Sequence, residues 1–176
     1  MIKNISETPY VYSYTVPDHK GHKENIIELI KKIPHNPYET VSHQDYNLPN
    51  TMKREYKNYF LKNIFLKFKE DFIDHTKAID LGLHNIWFQW YDPGASHVWH
   101  IHGACHFTNV YYVHLPDTSL KTELRFGDKK IVSPIEEGQI LTFPSFVSHR
   151  SPVKCNIASG LSRVIISFNT SINMKL

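Results

Sequence analysis

The chain has 176 residues, of which 41% are hydrophobic and 21% charged, and it carries a net charge of +3. This is the composition of one globular domain with a core of its own, and it excludes a disordered or collagen-like chain. A charge this small without a clustered basic face does not indicate a nucleic-acid partner. The first residues lack the apolar run of a signal peptide, and no apolar run is long enough to span a membrane, so we expect a cytoplasmic protein. Cys105 and Cys155 have no paired spacing, so we expect no disulfide framework.

The first half of the chain predicts helices. An alternating aromatic run over residues 8–16 predicts a strand, and apolar residues at helical spacing predict helices over 22–33 and 53–78. The segment between them, residues 34–52, contains three prolines and is longer than a simple connector, so it is either a lid or binding loop or a plain surface loop. The aromatic strand either extends a sheet within one subunit or joins two subunits, and a homodimer therefore stays open.

The second half predicts strands. Short β-rich runs separated by turn residues cover 85–91, 97–102, 108–115, 122–126, 130–133, 139–143, 146–150 and 162–169. Eight short strands at this spacing are typical of a sandwich or barrel, and helices that precede the strands indicate a mainly β, α+β domain. We divide the single domain 1–176 into a supporting region, residues 1–82, and a β core, residues 83–170.

A His-x-His pair ends the second predicted strand. Residues two apart on a strand point to the same side, so His100 and His102 can present two imidazoles to one point, which is most often a metal site. His149 lies on a later predicted strand that could lie beside this one in space, and it is our candidate for the third ligand. We expect His97 to face away because its spacing from His100 is odd, and we expect His106 to lie beyond the strand.

One arginine lies on the last predicted strand. Arg163, Ile165 and Ser167 should share a face, and an arginine that points into an apolar barrel needs an anion as partner. A neighbouring carboxylate or the carboxylate of a ligand would serve, and the planar guanidinium suits the second.

These motifs occur in an order that resembles a known family. The ordered set is Tyr91-Asp92-Pro93-Gly94, His100-x-His102, Val110-Tyr111-Tyr112-Val113, Gly138-x-x-Leu141-x-Phe143-Pro144-Ser145, His149, and Arg163 followed by Ser167-Phe168-Asn169. It is similar to the Fe(II)- and 2-oxoglutarate-dependent oxygenases, and to a subfamily of them with His-x-His. The resemblance covers about residues 83 to 170.

The resemblance implies a double-stranded β-helix, also called a jelly roll, and the site residues of a dioxygenase that hydroxylates a substrate. His100, His102 and His149 would bind Fe(II). The cosubstrate 2-oxoglutarate would chelate the metal and direct its far carboxylate to Arg163, helped by Ser167 or by the hydroxyl of Tyr91 or Tyr112. Oxidative decarboxylation would convert 2-oxoglutarate to succinate while the substrate is oxidised. Most of the family has an acidic residue where this chain has His102, so a different metal such as zinc could compete.

Two alternatives stay open. Gly94-x5-His100-x-His102 also matches the start of a cupin motif, although the glutamate expected after it is missing and Arg163 is left unexplained. A jelly-roll binding module without enzymatic activity would bind neither iron nor 2-oxoglutarate. The sequence does not identify the substrate, a small molecule or a protein; we expect it to meet residues 34–52 and mouth residues such as Trp99 and Asn109.

Overall fold

A computed structural model describes residues 1–5, 10–153 and 160–174 of the chain. The strands are β1 (Ile2–Asn4), β2 (Tyr12–Thr15), β3 (His43–Gln44), β4 (Asp80–Tyr91), β5 (His97–His100), β6 (Phe107–His114), β7 (Glu123–Phe126), β8 (Lys129–Val132), β9 (Gln139–Pro144), β10 (Ser148–Ser151) and β11 (Arg163–Asn173). The helices are α1 (His19–Lys31), α2 (Glu55–Phe60) and α3 (Leu66–Thr76), with a π-helical turn at Leu61–Phe65 and a 3-10 turn at Thr118–Leu120. None of the helices in the described part of the chain is long and apolar enough to cross a membrane.

The strands form two antiparallel sheets. The larger has seven strands in the order β1-β2-β9-β6-β11-β4-β3, and the smaller has four in the order β5-β10-β7-β8. The long central strands carry consecutive buried residues because both of their faces are covered. The expectation of a mainly β domain with two sheets is confirmed, and each of the eight predicted strands is present within a few residues of its expected bounds.

The helices cover one face of the larger sheet. Their apolar residues recur every three or four positions, so one stripe faces the sheet. The fully buried members of this stripe are Ile26, Ile30, Tyr56, Phe60, Phe68 and Phe72. They pack on Tyr111, Ile140 and Phe168 of the sheet. This layer holds the larger sheet rigid from behind.

A second apolar cluster lies between the two sheets. Its members include Tyr91, Tyr112, Leu124, Phe143 and Ile165. Two of these residues, Tyr91 and Ile165, also line a cavity.

The predicted N-terminal strand is β2, which lies between β1 and β9 in the larger sheet. It therefore extends a sheet within one subunit, although residues 6–9 lie outside the described part of the chain. Cys105 is a free thiol, whereas Cys155 lies outside the described residues.

The long segment of residues 34–52 is held in place by a buried carboxylate. Asp45 is 1% exposed and accepts hydrogen bonds from the Tyr56 hydroxyl at 2.8 Å and from the Phe88 main-chain N–H at 2.9 Å. The Arg54 Nε lies 3.0 Å from the same carboxylate. A buried charge is stable only when it is paired and hydrogen-bonded, so these contacts fix the segment against α2 and β4.

Candidate metal centre and cavity

Strands β5 and β10 bring two of the three predicted ligands, His100 and His149, together. His149 is the register partner of His100 in this antiparallel pair, and their imidazole centroids are 4.1 Å apart. His102 follows two residues beyond the end of β5, where its main-chain N–H donates to the Ser145 carbonyl at 3.0 Å. One ligand atom from each of His100, His102 and His149 lies within 4.8 Å of the others. The three residues predicted from the sequence therefore form one cluster that could hold a metal ion.

Main-chain carbonyls orient two of the three rings. The Nδ1 of His100 lies 2.8 Å from the Val98 carbonyl, and the Nδ1 of His149 lies 3.0 Å from the Val147 carbonyl. A carbonyl oxygen only accepts, so each Nδ1 must carry the proton and donate it. The lone pair of each ring is then on Nε2, the nitrogen that remains for a metal.

Side chains orient the third ring. The Nδ1 of His102 lies 2.7 Å from the Asn169 Oδ1 on β11 and 3.1 Å from the Thr108 Oγ1 on β6. Donation to the amide oxygen leaves the Nε2 lone pair of His102 for a metal as well. Sequence reasoning did not single out Asn169 or Thr108 for this role, because only the register of β6 with β11 brings them to His102.

Burial keeps these imidazoles neutral. Burial, followed by the proximity of His100, lowers the pKa of His149 from its usual 6.5 to about 2. Burial also lowers the pKa of His100 and of His102. A metal binds the neutral imidazole, so no proton has to leave these rings at neutral pH.

His97 corrects one expectation. It lines the cavity rather than facing away, and its Nδ1 lies 3.0 Å from the Nδ1 of His100. The register of β5 against β10 shifts between His149 and Ser151, so the odd spacing no longer reverses the face. His97 is not part of the ligand cluster. His106 lies away from this cluster, as expected, and accepts a hydrogen bond from the Ile172 main-chain N–H at 3.1 Å.

Arg163 is a buried cation without a carboxylate among the described residues. Its side chain is 1% exposed; Nη1 donates to the Leu120 carbonyl and Nη2 to the Ser151 hydroxyl. The guanidinium carbon lies 4.1 Å from the centroid of the Tyr91 ring, and the Nε has no hydrogen-bond partner in the described structure. A buried guanidinium that is hydrogen-bonded only by neutral groups has an uncompensated charge, which a bound anion would stabilise.

The other predicted cosubstrate residues lie nearby. Tyr91 and Ser167 line the cavity, and the Ser167 hydroxyl donates to Gln89 Oε1 at 3.2 Å. Burial raises the pKa of Tyr91 to about 12, against the opposite effects of Arg163 and a hydrogen bond with Ser151. Tyr112 does not line the cavity; its hydroxyl donates to Thr122 Oγ1 at 2.6 Å. Two further hydroxyl groups line the cavity, those of Ser151 on β10 and of Thr122 directly before β7. The sequence analysis did not predict either of them.

The histidines open onto a cavity of about 350 Å³. Its lining includes the three cluster histidines, Tyr91, Ser151 and Ser167, and the exposed side chains of Tyr38, Tyr46 and Ile101 lie at its mouth. No Asp or Glu is found among the described residues that line it. Tyr38 and Tyr46 belong to residues 34–52, so this segment borders the cavity, as the lid or binding-loop interpretation predicts.

Two expected mouth residues lie elsewhere. Trp99 lies on β5 directly before His100, so its ring turns to the opposite face of the small sheet. It lies 4.2 Å from the guanidinium of Arg125 and 4.8 Å from that of Arg150. Asn109 is fully buried, and its amide donates to the Phe168 carbonyl at 3.1 Å and to Thr170 at 3.0 Å. Neither lines the cavity, so the expectation that they meet a substrate is wrong.

The donor set determines what the centre can do. Three imidazole nitrogens on one side of a cavity leave coordination positions open toward it, which is the arrangement of a catalytic metal rather than a structural one. Imidazole suits Fe(II), Zn(II) and Cu(II). Ser151 and Tyr91 line the same cavity, and both contact the guanidinium of Arg163, which does not itself line it.

We compared the chain with known proteins by sequence and by structure. No protein-family model and no curated protein matches the sequence. Among solved structures, the chain is similar to a viral collagen prolyl hydroxylase from Paramecium Bursaria Chlorella virus-1 in complex with 2OG (15% identity, 98% of this chain and 100% of that chain covered, TM-score 0.62). It is also similar to an oxidoreductase of the 2OG-Fe(II) oxygenase family from Burkholderia pseudomallei (12% identity, 90% and 84% covered, TM-score 0.67).

A third similar structure is a prolyl hydroxylase from Trichoplax adhaerens in complex with a peptide fragment of the hypoxia inducible factor oxygen degradation domain (10% identity, 90% and 82% covered, TM-score 0.62). At these identities the likeness establishes a common fold. The chain therefore has the fold of the 2OG-Fe(II) oxygenase structures, over nearly the whole of its length.

Proposed function

We propose that this protein is an Fe(II)- and 2-oxoglutarate-dependent dioxygenase, a hydroxylase built on a double-stranded β-helix. One observation carries the proposal: three oriented imidazoles line a cavity together with Tyr91 and Ser151, and these two residues contact the buried Arg163 guanidinium, which has no carboxylate partner among the described residues. The fold likeness supports the proposal independently. Residues 83–170 would form the catalytic core, and residues 1–82 would support it.

In this proposal His100, His102 and His149 bind the metal through Nε2. With dioxygen as the oxidant, bound Fe(II) and 2-oxoglutarate would supply the hydroxylation of a C–H bond, in which one oxygen atom enters the substrate and the other enters the succinate formed, with CO2, from 2-oxoglutarate. The protein's own contribution is to fix the ligands and to keep the metal in a pocket of limited access to water. Three neutral imidazoles leave the full metal charge in place, and Arg163 adds one positive charge. A dianion such as 2-oxoglutarate matches this charge.

Arg163 would hold the far carboxylate together with neighbouring hydroxyls. Its guanidinium has five N–H donors, of which the hydrogen bonds to Leu120 and Ser151 use only two. Ser151 and Tyr91 line the cavity and contact the guanidinium. We therefore assign these three residues, with Ser167 and Thr122, to the carboxylate end of the cosubstrate. Tyr112 would act only through Thr122, whose main-chain N–H donates to the Tyr112 hydroxyl at 2.9 Å.

The substrate, a small molecule or a protein, would enter over the exposed side chains of Tyr38, Tyr46 and Ile101 at the mouth. Two of the similar structures described above are prolyl hydroxylases, and one of them holds a peptide.

The far-carboxylate assignment is tested by ligand binding to anaerobic, metal-loaded protein. We expect 2-oxoglutarate to bind the wild type more tightly than 2-oxobutyrate, which has the same oxo acid group without the far carboxylate. Arg163→Gln should abolish this difference while metal affinity stays within a few-fold, and Arg163→Lys should keep part of it. Equal affinity of the wild type for the two ligands would overturn the assignment of Arg163.

A further inference from the structure

The three imidazoles of the metal cluster are not held in the same way. His100 and His149 each donate to a carbonyl two residues earlier in their own chain segment. His102 lies outside β5 and relies on side chains from β11 and β6. The main-chain acceptors cannot be altered by a substitution of their own residue, whereas the acceptor for His102 is a side chain. The tautomer and orientation of the His102 ring therefore depend on the side chain of another residue, which a substitution can change.

We infer that Asn169 is a positioning residue that sets the tautomer and the ring orientation of His102, and thereby makes His102 a metal ligand. The inference rests on the proposed metal site but does not depend on which cosubstrate the metal binds. Asn169 also lines the cavity, but in this role it acts through His102.

The geometry around Asn169 favours this role. Its side chain is 6% exposed, and its Oδ1 is 2.7 Å from the His102 Nδ1, the shortest hydrogen bond to any of the three rings. Thr108, which is 1% exposed and lies opposite Asn169 in the register of β6 with β11, contributes a second oxygen at 3.1 Å. A donor held by two acceptors on two central strands of the larger sheet has little freedom to rotate.

The orientation of the Asn169 amide decides whether His102 can bind metal at all. With Oδ1 toward the ring, Nδ1 carries the proton and Nε2 keeps its lone pair for the metal. With the amide N–H groups toward the ring, Nδ1 would accept, Nε2 would carry the proton, and the third ligand would be lost. The clustering of all three nitrogens within 4.8 Å is productive only in the first case.

The substitutions separate positioning from folding. Asn169→Leu keeps the side-chain volume and removes the acceptor, and Asn169→Asp keeps an acceptor oxygen. We expect Co(II) affinity, followed by visible absorption, to fall 10- to 100-fold in Asn169→Leu and to be retained or raised in Asn169→Asp. The control is Thr142→Val, which removes a buried side-chain bond of 2.7 Å to Asn109 in the same sheet without touching a histidine. It should leave Co(II) affinity unchanged.

A second readout reports the tautomer without metal. In the metal-free protein labelled with 15N-histidine, long-range 1H–15N spectra distinguish a ring protonated at Nδ1 from one protonated at Nε2, and the His102→Gln variant identifies the His102 signals. We expect His102 to be the Nδ1–H form in the wild type and in Asn169→Asp, and to shift toward the Nε2–H form in Asn169→Leu. An Nε2–H form in the wild type, or an Asn169→Leu variant with unchanged tautomer and unchanged Co(II) affinity, would overturn the inference.

The result also separates this inference from the proposed function. If 2-oxoglutarate fails to bind the metal-loaded protein while Asn169→Leu still loses metal, the dioxygenase proposal fails and the positioning role stands. If 2-oxoglutarate binds and Asn169→Leu behaves as the wild type, the reverse holds.

Discussion

His149 on β10 lies directly opposite His100 on β5, with the two imidazole centroids 4.1 Å apart. These strands belong to the smaller sheet, and His100 is at the edge strand of that sheet. The pairing of two short strands therefore sets the distance between two proposed metal ligands that are far apart in sequence.

Removal of either histidine should abolish tight metal binding. His149→Ala leaves two imidazoles, and the site loses one of its three protein ligands. We expect no stoichiometric Co(II) binding at micromolar protein, by visible absorption or by metal analysis after gel filtration. His106→Ala is the matched control, because His106 hydrogen-bonds to the main chain of β11 away from the cluster. Stoichiometric metal in His149→Ala would remove His149 from the ligand set.

The absence of carboxylates from the described lining of the cavity predicts coupled binding of metal and cosubstrate. A dication at the histidine cluster adds to the positive charge of Arg163, which is buried against the cavity-lining Tyr91 and Ser151. A dianion offsets both charges, so metal and dianion should each bind better when the other is present. We expect 2-oxoglutarate to increase Co(II) affinity about 5- to 150-fold, the range of coupling energies common between two sites.

His102→Asp tests the origin of this coupling. A carboxylate ligand would offset part of the metal charge, so the variant should show smaller coupling even where its metal affinity is retained. Calorimetric titration of Co(II) with and without 2-oxoglutarate measures both quantities. Coupling as large in His102→Asp as in the wild type would mean that the charge of the site is not its cause.

The environment of Glu137 predicts that the free energy of unfolding decreases in acid. Burial alone would raise the pKa of Glu137, but hydrogen bonds from Lys23, the Leu115 main-chain N–H and His114 lower it to about 2. The Lys23 and Leu115 contacts are both 2.7 Å. Because the folded pKa lies below the unfolded value near 4.5, the ionised carboxylate stabilises the fold above about pH 4.5, and this contribution is lost as pH falls toward 2.

Urea unfolding at a series of pH values measures this effect. Glu137→Gln should make the decrease of the unfolding free energy between pH 5 and pH 2.5 smaller by about 1–2 kcal/mol, after allowance for the partial exposure of Glu137. Glu28→Gln, at an exposed pair with Lys31 on α1, should follow the wild-type profile. A Glu137→Gln profile as steep as the wild type would show that this carboxylate is not responsible.

Substitution of Gly138 by alanine should greatly reduce the stability of the fold. Its φ is +84°, and a Cβ there would lie 2.7 Å from the His19 ring. Gly94 has a similar φ of +90° with no atom within 4 Å of a Cβ. Thermal unfolding should therefore show Gly94→Ala to be destabilised by about 1 kcal/mol through backbone strain, and Gly138→Ala by about 2–4 kcal/mol through strain and the clash together. Equal losses would mean that His19 moves aside without cost.

The sequence predicted the ligand cluster because strand periodicity is local. The two-residue spacing of His100 and His102 predicted that these two imidazoles converge, whereas His149 was predicted as the best candidate for a third ligand, on a later strand. The helices were equally predictable, since the aromatic stripe from Tyr56 to Phe72 repeats at helical spacing.

The sequence could not predict what depends on register between distant strands. His97 turned into the cavity because of an irregularity in the pairing of β5 with β10. Asn169 and Thr108 reach His102 only through the alignment of β11 with β6. Trp99 and Asn109 were misassigned because an aromatic or an amide near a ligand strand carries no signal of which face or layer it occupies.

The most direct measurement of the central claim is an anaerobic titration of the Fe(II)-loaded protein with 2-oxoglutarate, monitored in the visible range. Chelation of the metal by the oxo acid gives a charge-transfer band that neither component has alone. We predict a saturable band with one equivalent of 2-oxoglutarate, absent from His149→Ala and weakened in Arg163→Gln. Stoichiometric Fe(II) binding with no band at saturating 2-oxoglutarate would contradict the account.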